Sequence, residues 1–165
     1  MVNKKSQMKL SFGMIFSIIL IIIFIAFAFY AVQKFIDVQN TVQIGKFSND
    51  FQNDIDKIWK GSQGLQKKEY ILPKKIEFVC FTDYSSSGKG LNKEFYDEFK
   101  LVYYENENLF FYPIGSAKGI DAKEIMRIDL TKTTETKNPL CFKNIEGKVS
   151  FTIQKDFNEA LVTII

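Results

Sequence analysis

The sequence predicts an α+β protein: an N-terminal transmembrane helix that continues into an amphipathic helix packed on an antiparallel β-sheet. Three observations carry this. Residues 10–33 run 24 positions without a charge. Behind them, apolar residues recur at spacings of three and four. The second half of the chain is rich in Phe and Tyr and ends in a run that alternates apolar and polar residues.

The uncharged run indicates where the chain resides. A helix rises ~1.5 Å per residue, and ~20 apolar residues already cross a bilayer core. Within hydrocarbon every backbone N–H and C=O must be paired inside the segment, so a helix is the expected form. Residues 1–9 form a short basic leader with Lys4, Lys5 and Lys9. Lys34, Asp37 and Lys46 are sparser on the far side. Lysines in short flanks mark the cytoplasmic side, which places the N-terminus in the cytoplasm and the rest of the chain outside the cell membrane as a single-pass protein. A cleaved secretory signal ending near Ala26-Phe27-Ala28 is the competing reading. The apolar run is long for a signal core, and bulky Phe29 and Tyr30 follow directly, which favours an uncleaved anchor.

Residues 34–60 read as a helical stalk in two phases. Phe35, Val38 and Val42 share one face; Ile44, Phe47, Phe51, Ile55 and Ile58 form a second stripe. Gly45 lies at the change of phase, where a break costs least. A second helix over 46–60 is then expected, with Asp50 and Asp54 in its first half and Lys57, Lys60 and Gly61 at its end. Trp59 is expected to join the core.

Residues 61–165 are expected to form the β-rich domain. Gly61, Gly64 and Pro73 mark 61–74 as a loop. Residues 75–83 read as a strand with Ile76, Phe78 and Cys80 on one face and Val79 and Phe81 on the other. A loop over 84–91 leads to a short helix capped by Asn92 and holding Phe95 and Phe99. Strands over 100–104 and 109–114 then form a hairpin around 105–108. Residues 124–130 are a further strand candidate, followed by a polar loop to Pro139. In 148–154, Val149, Phe151 and Ile153 alternate with polar residues, and after a turn over 155–159 the chain closes with 160–165. Such a hairpin suits an open antiparallel sheet of four to six strands with one solvated face.

The composition excludes more chemistry than it suggests. A net charge of +3 with interspersed signs offers no basic track, so no nucleic-acid partner is expected. Histidine is absent, which removes the commonest metal ligand and general base together. Ser85 to Gly90 lacks the first glycine of a phosphate-binding loop and has Gly90 where its Ser or Thr belongs. Glu94, Asp97 and Glu98 read as a solvated helix face rather than a paired-carboxylate site. Asp50, Asp54 and Asp56 lack the spacing of a calcium loop. No catalytic, cofactor-binding or metal-ligating set can be assembled, so no enzyme and no cofactor are expected.

Cys80 and Cys141 are the two cysteines. In an oxidising compartment they form one disulfide; elsewhere they pack as two buried thiols. Closing a loop of ~60 residues would stabilise the fold by roughly 4 kcal/mol.

A basic leader, an apolar helix passing into an amphipathic one and a β-sheet domain together resemble the plan of type IV pilins and pseudopilins. Lys4-Lys5-Ser6-Gln7 is similar to the leaders of archaeal members. The resemblance implies a pilin-like fold, peptidase cleavage between Ser6 and Gln7, and self-association or contact with other envelope proteins through the apolar helix, alongside membrane lipid. Ser6 stands where the family has glycine, and Ser11 where pilins carry a glutamate. The second half also resembles small membrane-anchored archaeal proteins, which implies an envelope protein with a paired-cysteine domain. The function expected is a membrane-anchored, extracytoplasmic structural or interaction protein. The alternative is a single-pass binding module with no filament role, using loops 84–91 and 131–139 as its contact surface.

Overall fold

The computed structural model describes residues 12–102 and 106–165. They fall into two compact units, one ending at Val38 and the other spanning Gln39–Ile165. The elements run α1 (Phe12–Lys60), β1 (Gly64–Ile71), β2 (Phe78–Phe81), α2 (Lys93–Val102), β3 (Leu109–Tyr112), β4 (Ala122–Lys123), α3 (Leu130–Thr133), β5 (Leu140–Lys143), β6 (Lys148–Lys155) and β7 (Thr163–Ile164). The α+β class is therefore as expected.

Helix α1 begins long and apolar enough to cross a membrane. Residues 12–38 rise about 40 Å, and no side chain among them is buried in the protein. The expected break at Gly45 does not occur: α1 is one helix through Lys60. A side chain added at Gly45 would meet open space, so the glycine marks no close approach. The change of hydrophobic phase marks instead where burial begins. Phe35, Val38 and Val42 are exposed, whereas Ile44, Phe47, Phe51 and Ile55 are almost wholly buried.

The β structure forms two sheets rather than one. The three-stranded sheet has the order β1-β6-β7, and the four-stranded sheet β4-β3-β2-β5. All strand pairs are antiparallel. Strand β1 lies in the segment expected to be a loop, and pairs along its whole length with β6, from Gly64↔Lys155 to Ile71↔Lys148. It is an edge strand whose Lys67 faces solvent, and a charged edge is a common guard against edge-to-edge association. Only Tyr70 within it is fully buried.

The expected 100–104/109–114 hairpin is also corrected. Leu101 and Val102 end helix α2, and residues 103–105 lie outside the described residues. Strand β3 pairs instead with β2 and β4. Of the strand expected over 124–130, only Ile128 makes a β contact, a parallel bridge to Val162. The final hairpin is as expected, with β7 joining β6 at Ile153↔Ile164.

Side-chain alternation on the four-stranded sheet divides the interior in two. Val79, Phe81, Leu109, Phe111 and Phe142 face the main core, which holds the α1 stripe and Tyr70, Val149, Phe151 and Ile153 of the other sheet. Phe78, Cys80, Phe110 and Tyr112 face the opposite way, where Phe95 and Phe99 of α2 cover them. Phe99 stacks on Phe110 at 4.6 Å between ring centroids, and Phe95 on Tyr112 at 3.8 Å. Cys80 and Cys141 are directly opposite across β2 and β5 and joined by a disulfide with S–S 2.05 Å.

Polar side chains lock the connections. Lys155 Nζ donates to the carbonyl oxygens of Trp59 and Gly61, at 2.7 and 2.8 Å, and so caps the last turn of α1. Arg127 lies 4.0 Å from the centre of the Trp59 ring and pairs with Asp56 at 2.7 Å. Trp59 is partly buried against the core, and its indole N–H donates to the Ala160 carbonyl.

Candidate functional site

The two loops singled out in the sequence, 84–91 and 131–139, come together at one residue. Asn138 is fully buried. Its amide Nδ2 donates to the carbonyl of Asp83 at 2.7 Å and to Ser86 Oγ at 3.0 Å, while its Oδ1 accepts from the Asp83 N–H. Its backbone exchanges a pair of hydrogen bonds with Lys89. One side chain thus takes the place of a strand partner for Asp83 and Ser86. Tyr96 of α2 supports the same loop, donating its hydroxyl proton to the Ser86 carbonyl. Gly88 is needed beneath it, since an added Cβ would lie 2.9 Å from the Tyr96 ring.

The serines of this loop do not form a phosphate cradle. Ser85 donates both its N–H and its hydroxyl to Asp83 Oδ1, and the Ser86 carbonyl faces the protein.

Beside the loop is a cavity of about 350 Å³, lined by residues from the end of β2, the approach to β3 and Leu130. The strand pairing explains its lining. Phe81 pairs with Leu109, and the next residue, Thr82, donates its N–H to the Asn108 carbonyl at 3.0 Å. Asp83 and Glu107, one residue further along each chain, line the same cavity. Asn108 is fixed from the other side, exchanging two side-chain hydrogen bonds with the Ile125 backbone, both at 2.8 Å. Thr82 Oγ1, Asp83 Oδ2 and Glu107 Oε2 are buried with no hydrogen-bond partner among the described residues.

The other candidates are dispersed. Glu94, Asp97 and Glu98 lie exposed on α2. Asp54 turns inward to Tyr70 and pairs with Lys68 at 3.4 Å, whereas Asp56 turns to Arg127. Among the described residues no three His, Cys, Asp and Glu side chains gather as a metal cluster. Ser6 and Gln7, the expected cleavage pair, lie outside the described residues. Asp83 and Glu107 were missed because they are far apart in sequence and come to one cavity only through the fold of β2 and β3.

These features define an α+β domain with a cross-strand disulfide, in a chain whose first described helix can span a membrane. No protein-family model matches the chain, and neither does any curated protein or solved structure.

Proposed function

We propose that this chain is a membrane-anchored, extracytoplasmic interaction protein built on a pilin-like plan. The observation that carries the reading is the division of labour along α1. Its residues from Phe12 to Val32 are uncharged and almost all apolar and bury nothing within the protein, whereas Ile44 to Ile55 supply one wall of a folded core. A helix that exposes Ile, Phe and Val over this length needs an apolar partner, and lipid or a neighbouring apolar helix provides one. The Cys80–Cys141 disulfide supports an oxidising location for the domain, as does the basic leader for a cytoplasmic N-terminus.

A second reading is a single-pass binding module that never enters a filament. The joining of loops 84–91 and 131–139 at Asn138 favours it, because it makes one surface of two loops. Intact mass of the protein from native membranes separates the two. Loss of the first six residues, with filaments in electron micrographs, supports the pilin-like reading. A chain that retains Met1 supports the anchored module.

A further inference from the structure

We infer that Asp83 and Glu107 hold a hard divalent cation at the end of the β2–β3 pair, with Thr82 as a third oxygen donor.

Three observations converge on it. The two carboxylates line one cavity, each two residues beyond the last strand pair, Phe81↔Leu109. Like charges gathered in one cavity repel unless something of opposite charge lies between them. Neither carboxylate has an ion-pair partner among the described Lys and Arg residues. Second, two of the three unpaired oxygens are on side chains withdrawn from water: Asp83 is 5% exposed and Thr82 1%. A buried carboxylate oxygen without a partner is destabilising, a penalty that a bound cation would remove. Third, the other half of the Asp83 carboxylate is already engaged. Ser85 donates twice to Oδ1, which fixes the side chain and leaves Oδ2 as the vacant ligand.

The donor set selects the kind of ion. All three orphan atoms are oxygens. The chain has no histidine, and both cysteines are consumed by the disulfide, so nothing here favours zinc or copper. Carboxylates with a hydroxyl and water suit calcium, which takes 6–8 oxygens in flexible geometry. A cavity of about 350 Å³ leaves room for the waters that complete the shell.

The experiment uses the full chain in detergent micelles, stripped with a chelator and titrated with calcium chloride by calorimetry. Thermal unfolding is followed in parallel by circular dichroism. One calcium per chain and a raised Tm are expected. Asp83→Asn and Glu107→Gln should each weaken binding by about tenfold or more, since affinity follows the ligand charge count. Asp97→Asn, on the exposed face of α2, should bind as the unaltered protein does. Should Asp83→Asn fail to fold, Glu107→Gln decides, because Glu107 is only partly buried. Absence of binding at millimolar calcium, or unchanged affinity in the variants that fold, overturns the inference. So does a Tm that ignores calcium.

Discussion

The Tyr70 hydroxyl donates to Asp54 Oδ2 at 3.0 Å, joining strand β1 to helix α1 inside the core. The contact lets an edge strand with one fully buried side chain hold its place, and it explains why Asp54 turns inward from an otherwise apolar stripe. Burial, followed by the neighbouring Asp54 carboxylate, pushes the Tyr70 phenol far above its ordinary value of 10.0. The unfolded chain therefore ionises this tyrosine first as pH rises. Stability from Tyr70 is complete below about pH 10 and declines above it. Tyr70→Phe should cost about 1.5–3 kcal/mol at neutral pH, the worth of a hydrogen bond to a charged group. It should also flatten the alkaline limb of the stability curve. Urea unfolding at neutral and strongly alkaline pH measures both; an unchanged alkaline limb would show that the buried phenol does not contribute to it.

Lys155 is the second prediction. Its ammonium meets two carbonyls at the end of α1, where the helix dipole is negative and the last C=O groups lack partners. Lys155→Met keeps the apolar stem and removes the charge. Stability should fall by about 2 kcal/mol, with amide exchange in the last turn of α1 rising more than in its middle. Uniformly raised exchange along α1 would argue against a capping role.

What could be read from the chain was what leaves a period in it. The α1 stripe from Ile44 to Ile55 and the alternation of Val149, Phe151 and Ile153 are burial patterns written directly into the order of residues. Strand β1 left no such trace. An edge strand with Lys67, Lys68 and Glu69 is polar on both sides, and Gly64 and Pro73 beside it look like loop residues. Its existence depends on pairing with β6, which lies far away in sequence. Gly45 misled for the opposite reason: a change of phase records a change of surroundings, and the backbone continues through it. The candidate site was half legible. Composition and spacing identified two polar loops, but neither revealed that Asn138 would bind them together or that Asp83 and Glu107 would line one cavity.

The disulfide gives a third prediction. Cys80 and Cys141 are 61 residues apart, and cross-linking them removes loop-closure entropy from the unfolded chain. Replacing both with serine should cost about 4 kcal/mol. The bond also ties β5 to β2, so the loss should be concentrated in the four-stranded sheet. Non-reducing intact mass tests the bond itself, through a deficit of two hydrogens, and denaturant unfolding of the double variant tests its worth.

Phe51 tests the core. It is fully buried and its ring meets those of Phe47, Tyr70, Phe81 and Phe151, so it touches α1 and both sheets. Phe51→Ala should cost about 3–5 kcal/mol, as the neighbouring rings belong to separate elements and cannot collapse together into the space. Phe35→Ala, at an exposed position before burial begins, should leave the unfolding of the domain unchanged. Equal losses at the two positions would mean that the onset of burial along α1 is misplaced.

Asn138 carries the last prediction. Its carboxamide supplies partners to the Asp83 N–H, the Asp83 carbonyl and Ser86 Oγ, groups that no strand reaches. Asn138→Ala strands the buried Asp83 groups at about 1–3 kcal/mol each if they stay dry. The cheaper response is for the loop to open and hydrate them, so the global loss should be smaller than that sum. Exchange at the Asp83 and Ser85 amides should then rise sharply, while β2 itself, held by β3 and β5 on its two sides, stays protected. Asn138→Asp gives the finer test: it keeps an acceptor for the Asp83 N–H but loses the donor. If Asp restores protection at Asp83 while the 85–89 amides still exchange fast, the acceptor and donor arms act on separate parts of the loop. If both variants leave the loop protected, the Lys89–Asn138 backbone bridge suffices to hold it.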